Sequence, residues 1–310
     1  MSLLSIDLGG TRLRAALYDD HMQQITRTET LTRAEEGPER VIERVLATAR
    51  EVVPPGVTPH AIGMSTPGPL DARRGVLMHS FALPGWKDVP LTSIVSEAFG
   101  NAPTFAQNDG NVGPLAEYVL GAGQGCNPML YLTISTGIGG GVIINGELFT
   151  GWSGHAAEPG HMQFHDEEGS VRRLEELASG TALGLMAMRK LASYTGETRL
   201  RGLDVIDGKA VGTAAVAGDA FALSIVETAG RYLGLGLVNL LHLFSPEAVV
   251  VGGSVTQLGD LYFAPARAVI AERVLDPAFV PPNFIRMAHF GGDVCLIGAA
   301  LHAKRESERV

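Results

Sequence analysis

A chain of 310 residues, 45% hydrophobic and 18% charged, can bury large cores and exceeds the roughly 100–150 residues of one ordinary domain, which excludes disorder and predicts two domains. Its 24 basic and 33 acidic residues leave a net charge of −9, which argues against non-specific nucleic-acid or anionic-membrane partners. Two cysteines, Cys126 and Cys295, cannot build a disulfide framework or a four-thiolate zinc site, and they fit a reducing compartment.

Leu3–Leu8 reads as a buried strand, and Gly9-Gly10 as a turn. Asp7 interrupts the apolar run too early for a signal peptide, no apolar run reaches the 18 or so residues of a membrane helix, and a cytoplasmic location is expected. Thr11–Tyr18 alternates, with Leu13, Ala15 and Leu17 on one side, which predicts a β-hairpin. A third strand is expected at Gln24–Leu31, then an amphipathic helix from Pro38 to about Val53. Ala61–Ser65 is a strand running into the turn Thr66-Pro67-Gly68-Pro69. A short helix at Leu91–Phe99, a strand at Thr104–Gln107 and a helix from about Asn111 follow.

The pattern then restarts. Met129–Ser135 is a strand, Gly137 to Gly141 a glycine turn, and Val142–Asn145 a returning strand closed by Asn145-Gly146. Helices are expected at Leu174–Leu177, Thr181–Ala192 and about Asp219–Leu243. Pro246–Val251 is a buried strand entering Gly252-Gly253, with a helix, a strand at Asn283–His289 and a last helix from Val294 after it. Strand, glycine turn, strand thus occurs twice, and the fold class is α/β with mixed sheets in two halves that divide near residue 115.

The 39 glycines far exceed an average of about 7%, and they cluster at these turns. Asp7-Leu8-Gly9-Gly10-Thr11 puts a carboxylate, bare backbone and a hydroxyl together. It can approach a phosphate, with Asp7 near Mg²⁺ and Thr11 on a phosphate oxygen, or it can be a plain hairpin turn. Ser135-Thr136-Gly137-Ile138-Gly139-Gly140-Gly141 lacks the helix a dinucleotide fingerprint requires, because Val142-Ile143-Ile144 reads as strand. Two such clamps, one per half, suggest a nucleotide held between two domains. In Gln107-Asn108-Asp109-Gly110-Asn111, Asp109 either caps the following helix or serves as a general base toward a substrate hydroxyl. Around His155, Glu158, His161 and His165, Pro159-Gly160 breaks the helix that a metal site of the His–Glu–x–x–His kind needs, so Glu158 and His161 read better as substrate hydrogen-bonding groups.

These motifs, in this order, resemble the ROK family (repressors, uncharacterised reading frames, sugar kinases), and its glucokinase-like members above all. Eight runs carry the resemblance: Asp-Leu-Gly-Gly-Thr (7–11), Ser-Thr-Pro-Gly-Pro-Leu-Asp (65–71), Leu-Pro-Gly-Trp (83–86), Asn-Asp-Gly-Asn (108–111), Ser-Thr-Gly-Ile-Gly-Gly-Gly (135–141), Glu-Pro-Gly-His (158–161), Glu-Leu-Ala-Ser-Gly (176–180) and Val-Val-Gly-Gly (250–253). The resemblance implies an actin-like ATPase fold of two ribonuclease-H-like domains around a cleft, often dimeric. The small domain would comprise residues 1–115 plus 296–310, and the large one 116–295. It implies ATP-dependent phosphorylation of a hexose, glucose to glucose 6-phosphate first, with fructose, mannose or an N-acetylhexosamine as alternatives. Asp109 matches the catalytic base. Asn108, Glu158, His161, Glu175 and Gly68 match substrate positions. Gly9, Gly10, Thr11, Ser135, Thr136, Gly137, Gly252 and Gly253 match nucleotide positions, and Asp7 matches the Mg²⁺ position.

Two departures from the family pattern stand out. Where relatives carry three zinc-binding thiolates, this chain has Asp166, Glu168 and Arg173, so no structural zinc is expected, although a cation beside a carboxylate could replace the metal as a cross-link. Ala82 stands where an asparagine often precedes Leu-Pro-Gly-Trp, which puts strict glucose specificity in question, with the loops near Phe81–Trp86 and Gly151–Ala157 expected to set selectivity. A sugar-sensing repressor would carry a helix-turn-helix ahead of the first glycine turn, and only six residues precede Asp7.

Overall fold

Along Ser2–Leu8 (β1), Leu4, Ile6 and Leu8 belong to one core and Leu3 to another, so both faces of the strand must be covered. The computed structural model describes residues 2–80 and 82–309 and supplies both layers. Arg12–Asp19 (β2) and Gln24–Leu31 (β3) continue antiparallel from β1. Pro38–Val52 (α1) begins on a proline, whose missing N–H costs nothing in the first turn, and packs Val41, Val45 and Ala49 on the Leu4 side. Ala61–Thr66 (β4) runs parallel to β1. A small sheet of Leu70–Asp71 (β5), Val76–His79 (β6) and Lys87–Val89 (β7) follows, then Leu91–Ala98 (α2). Thr104–Asn108 (β8) pairs parallel with β4 and leads into Asp109–Leu120 (α3). The sheet order is β3-β2-β1-β4-β8.

The second sheet has the same plan. Met129–Ile134 (β9), Ile138–Ile144 (β10) and Glu147–Leu148 (β11) form the antiparallel part. Gln163–His165 (β12) and Val171–Arg173 (β13) make a separate hairpin, followed by Leu174–Ala178 (α4), Gly180–Leu191 (α5), Gly208–Val216 (α6) and Ala220–Phe244 (α7). Ala248–Gly252 (β14) pairs parallel with β9 and, after Asp260–Arg273 (α8), with Ile285–Met287 (β15). The order is β11-β10-β9-β14-β15. Val294–Ser307 (α9) then buries Leu296, Ala300 and Ala303 against Leu3, Ala16 and Tyr18 of the first sheet. Two compact units result: Met1–Gly121 with Thr150–Ala156 and Phe290–Val310, and Ala122–Phe149 with Ala157–His289.

Four expectations need correction. Gly139 to Gly141 are not a turn: they are extended and paired within β10, and the turn is confined to Ser135, Thr136 and Gly137. A Cβ on Gly140 would lie 2.5 Å from the Tyr131 carbonyl and 2.8 Å from Pro159, so this bare strand position serves packing. The third helix starts at Asp109 instead of Asn111, because Asn108 is its N-cap. The strand expected at 283–289 shrinks to Ile285–Met287, since Asn283 takes the left-handed φ of 53°. Finally, α7 has 25 residues and is apolar enough to cross a bilayer, although Glu227 and Arg231 interrupt it. Its buried residues, among them Ile225, Leu233 and Leu237, belong to the core of the second unit, as befits a central core helix.

Candidate functional site

In the first unit, parallel pairing brings three strand ends together. Register sets Asp7 beside Ser65 and Ser65 beside Gln107, with Thr66 beside Asn108. Asp7 is 8% exposed, and Arg14 donates to its Oδ2 at 3.0 Å. Burial pushes the Asp7 carboxyl above its ordinary range, and the Arg14 charge pulls it back. Arg14 is itself held by Glu29 and by the Gly292 carbonyl. The Gly9-Gly10 turn is closed by Gly9 N–H to the Arg12 carbonyl at 2.9 Å, and the Thr32 hydroxyl donates to the Gly9 carbonyl at 2.6 Å. Thr11 is exposed beside them.

Asn108 and Asp109 divide their work by one residue. The Asn108 Oδ1 accepts from Gly110 N–H at 2.9 Å, so the helix cap that sequence left open for Asp109 falls to its neighbour. Asp109 sits in the first turn of α3, exposed, at the positive end of the helix dipole, where a carboxylate is favoured. Gly68 lies beside this pair, since a Cβ there would come within 2.7 Å of the Asn108 amide nitrogen. Asp7, Gly68, Asn108 and Asp109 therefore share one end of the first sheet. Phe81 lies outside the described residues.

In the second unit, the Ser135-Thr136 turn, α5, α6 and the segment after Gly253 surround a cavity of about 960 Å³. Gly253 has φ 95°, and a Cβ on it would fall 2.3 Å from the Ile134 carbonyl, so only glycine carries the chain past β9 here. Gly180 N–H donates to the Ser135 carbonyl at 2.7 Å, tying the start of α5 to the turn. The lining divides by chemistry. Ser135, Thr136 and Thr181 offer hydroxyls, while Leu185, Met188, Val205 and Val216 present apolar side chains that remain exposed. Such a mixture of apolar wall and a few polar groups suits a heterocyclic base on a phosphate chain. Sequence reading found Ser135, Thr136 and Gly253. It missed the α5 and α6 walls, because α6, rich in glycine and alanine, carries little periodic signal.

Glu158 and His161 flank the single turn Pro159–His161, with His161 N–H donating to the Glu158 carbonyl at 3.1 Å. That turn is seated on β10, with Pro159 against bare Gly140 and Gly160 against the Ile138 carbonyl, so backbone packing sets where the two residues stand. Glu175 lies in the first turn of α4, with Arg173 Nη1 at 2.9 Å from its Oε1. A carboxylate–cation cross-link appears one residue earlier than the thiolate positions suggest: Asp166 Oδ2 meets Arg172 Nε at 3.2 Å across the β12–β13 hairpin. Among the described residues, no group of three or more His, Cys, Asp or Glu side chains gathers as a metal-ion site.

The family model described as "ROK family" matches residues 3–306. The glucokinase of Thermotoga maritima is 32% identical over 97% of this chain and 96% of its own length. A ROK hexokinase structure from Thermus thermophilus is 35% identical, with TM-score 0.81 and full coverage of both chains. A Streptomyces griseus ROK glucokinase, solved with glucose and AMPPNP, is 29% identical, with TM-score 0.78 over 98% of this chain and 100% of that one.

Proposed function

The chain belongs to the ROK family, and from that premise we propose that it is an ATP-dependent hexose kinase of the glucokinase type, converting glucose to glucose 6-phosphate. One observation carries the nucleotide half of this reading: the Ser135-Thr136 turn, the segment after Gly253 and helices α5 and α6 surround one cavity whose lining joins hydroxyls to an apolar wall. The two-unit actin-like ATPase fold is that of the ROK sugar kinases it matches.

In this reading the sugar is held by Asn108, Glu158, His161 and Glu175, with the bare Gly68 backbone beside Asn108. Asp109 accepts the proton of the attacking hydroxyl as that oxygen forms its bond to the γ-phosphorus and the bond to the ADP oxygen breaks. Asp109 is exposed in the first turn of α3, and Gly110 N–H donates to its Oδ1 at 2.8 Å. Gly9, Gly10, Thr11, Ser135, Thr136 and Gly137 are the phosphate-binding positions in this reading. The adenosine lies toward Gly252-Gly253 and the apolar wall. Mg²⁺ is compatible with Asp7: it needs one carboxylate plus phosphate oxygens and waters, and Asp7 stands one residue before the end of β1, next to the glycine turn. When bound, the ion offsets phosphate charge. Arg14 fixes the Asp7 carboxylate in place for that role.

The same reading has the protein working in the cytoplasm as a homodimer, where Cys126 and Cys295 remain the free thiols seen in the structure. The test is coupled phosphorylation of a hexose panel with ATP. Sugar-dependent ADP release, fastest with glucose, is expected. Preference for an N-acetylhexosamine would overturn glucose as the substrate, and no sugar-dependent ADP release with any member would overturn the kinase itself.

A further inference from the structure

Arg173 stands where two segments proposed to bind sugar come together. It ends β13, pairs in register with Gln163 just beyond the Glu158–His161 turn, and directly precedes α4, which carries Glu175. The Leu174 N–H donates to the Met162 carbonyl at 2.8 Å, so the two segments are also tied by backbone. From this position the guanidinium reaches both glutamates of the helix start: Nη1 to Glu175 Oε1 at 2.9 Å and Nε to Glu176 Oε2 at 3.3 Å. Glu176 in turn accepts from the Arg173 backbone N–H at 2.8 Å, which fixes where Arg173 begins.

Glu175 is also constrained on its other oxygen. A Cβ built on Gly137 would lie 2.9 Å from Glu175 Oε2, so the carboxylate lies directly beside the Ser135–Gly137 turn. The carboxylate plane is thus set by a cation on one side and by the turn on the other. A fork-shaped guanidinium holding two carboxylates is well suited to fix such a plane, and an ammonium does so less well.

We infer that Arg173 is a positioning residue for sugar recognition: it orients Glu175 between the β12–β13 hairpin and the Ser135–Gly137 turn, so that one carboxylate answers to both the sugar and the phosphate-facing loop. This deepens the proposed function and rests on its assignment of Glu175 to the sugar. Arg173 touches neither substrate. Its effect is on where Glu175 points.

The experiment compares steady-state kinetics of Arg173→Ala, Arg173→Lys, Arg172→Ala and Glu175→Gln with glucose and ATP as the varied substrates. Arg173→Ala should raise KM for glucose about five-fold or more, with kcat and the KM for ATP changed less than about two-fold. Arg173→Lys should recover part of the loss. Arg172→Ala breaks the Asp166 pair in the same hairpin and should leave the KM for glucose near wild type, which separates orientation of Glu175 from integrity of the hairpin. A wild-type KM for glucose in Arg173→Ala, alongside a raised one in Glu175→Gln, would overturn the inference and leave the site assignment standing. A wild-type KM in Glu175→Gln would remove the assignment on which the inference rests. Equal losses in Arg172→Ala and Arg173→Ala would assign the effect to the hairpin and overturn the inference as well.

Discussion

The two units carry one sheet plan, three antiparallel strands followed by two parallel ones, yet their strand ends are chemically opposite. In the first, the strand ends carry carboxylates, Asp7 one residue before the end of β1 and Asp109 directly after β8, with Asn108 capping the helix that follows. In the second, the corresponding region carries hydroxyls and bare backbone: Ser135, Thr136, Gly180 and Ser254 around a large cavity. In the proposed function, a repeated scaffold thus offers one half for proton transfer and one for holding an anion. The difference is made by a handful of residues at strand ends.

The sharpest way to break this contrast is Asp109→Asn. It keeps the helix start, because the cap belongs to Asn108, and should lower kcat by roughly 10²–10⁴ while leaving the glucose KM within a few-fold. Undiminished turnover in the coupled assay would remove proton transfer from the first unit. Next in size is Gly253→Val. The positive φ and the 2.3 Å approach to the Ile134 carbonyl should cost several kcal/mol, on the order of 2–5, seen as a lower urea midpoint and a raised ATP KM. An unchanged midpoint would mean the bare backbone there is not required.

Gly140→Ala should cost less, about 1–3 kcal/mol: the new Cβ must push back the Tyr131 carbonyl and Pro159, but Gly140 is extended and adds no positive-φ strain. Since that shift moves the Glu158–His161 turn, the glucose KM should rise while the ATP KM stays close to wild type. Equal changes in both would blur the separation between the proposed sugar turn and the proposed nucleotide cavity. The smallest effect concerns pH. Burial holds the His302 imidazole below its ordinary value, with Glu306 opposing, so the folded first unit disfavours the proton that the unfolded chain accepts. Stability from this group is complete above the unfolded value of 6.5 and is lost as pH falls from there toward the lower folded value. Urea midpoints at pH 7.5 and 5.5 should differ more for wild type than for His302→Gln. An identical difference in both would assign the pH response elsewhere.

Much of this was legible in the residues. The doubled hairpins, the carboxylate near the end of β1 and the Asn108–Asp109 pair all lie where local pattern and turn chemistry act together. Glycine marked the turns, but it marked packing equally. Gly140 reads like its neighbours in sequence, and only the approach of Tyr131 and Pro159 shows that it belongs to a strand. Period-two alternation cannot be seen in a residue without a side chain. The walls of the proposed nucleotide cavity were hidden for a different reason. Val205, Val216 and Met188 gather there through tertiary contact between elements distant in sequence, and each alone is an ordinary apolar residue. Likewise, nothing in a run of Arg172-Arg173 tells which arginine meets Asp166 and which meets Glu175. Strand register decides it.

The return of α9 to the first sheet has a consequence for biosynthesis. Ser5 donates to the Leu296 carbonyl at 2.6 Å, and the second core of that unit joins Leu3, Ala16 and Tyr18 to Leu296, Ala300 and Ala303. As a ribosome delivers the chain, the second unit has all its strands and helices before α9 emerges, while the unit that begins the chain still has one face of its sheet uncovered. The half bearing Asp109 is thus begun first and closed last, and a nascent chain gains its proposed proton acceptor in working order only after the anion-holding half has been made.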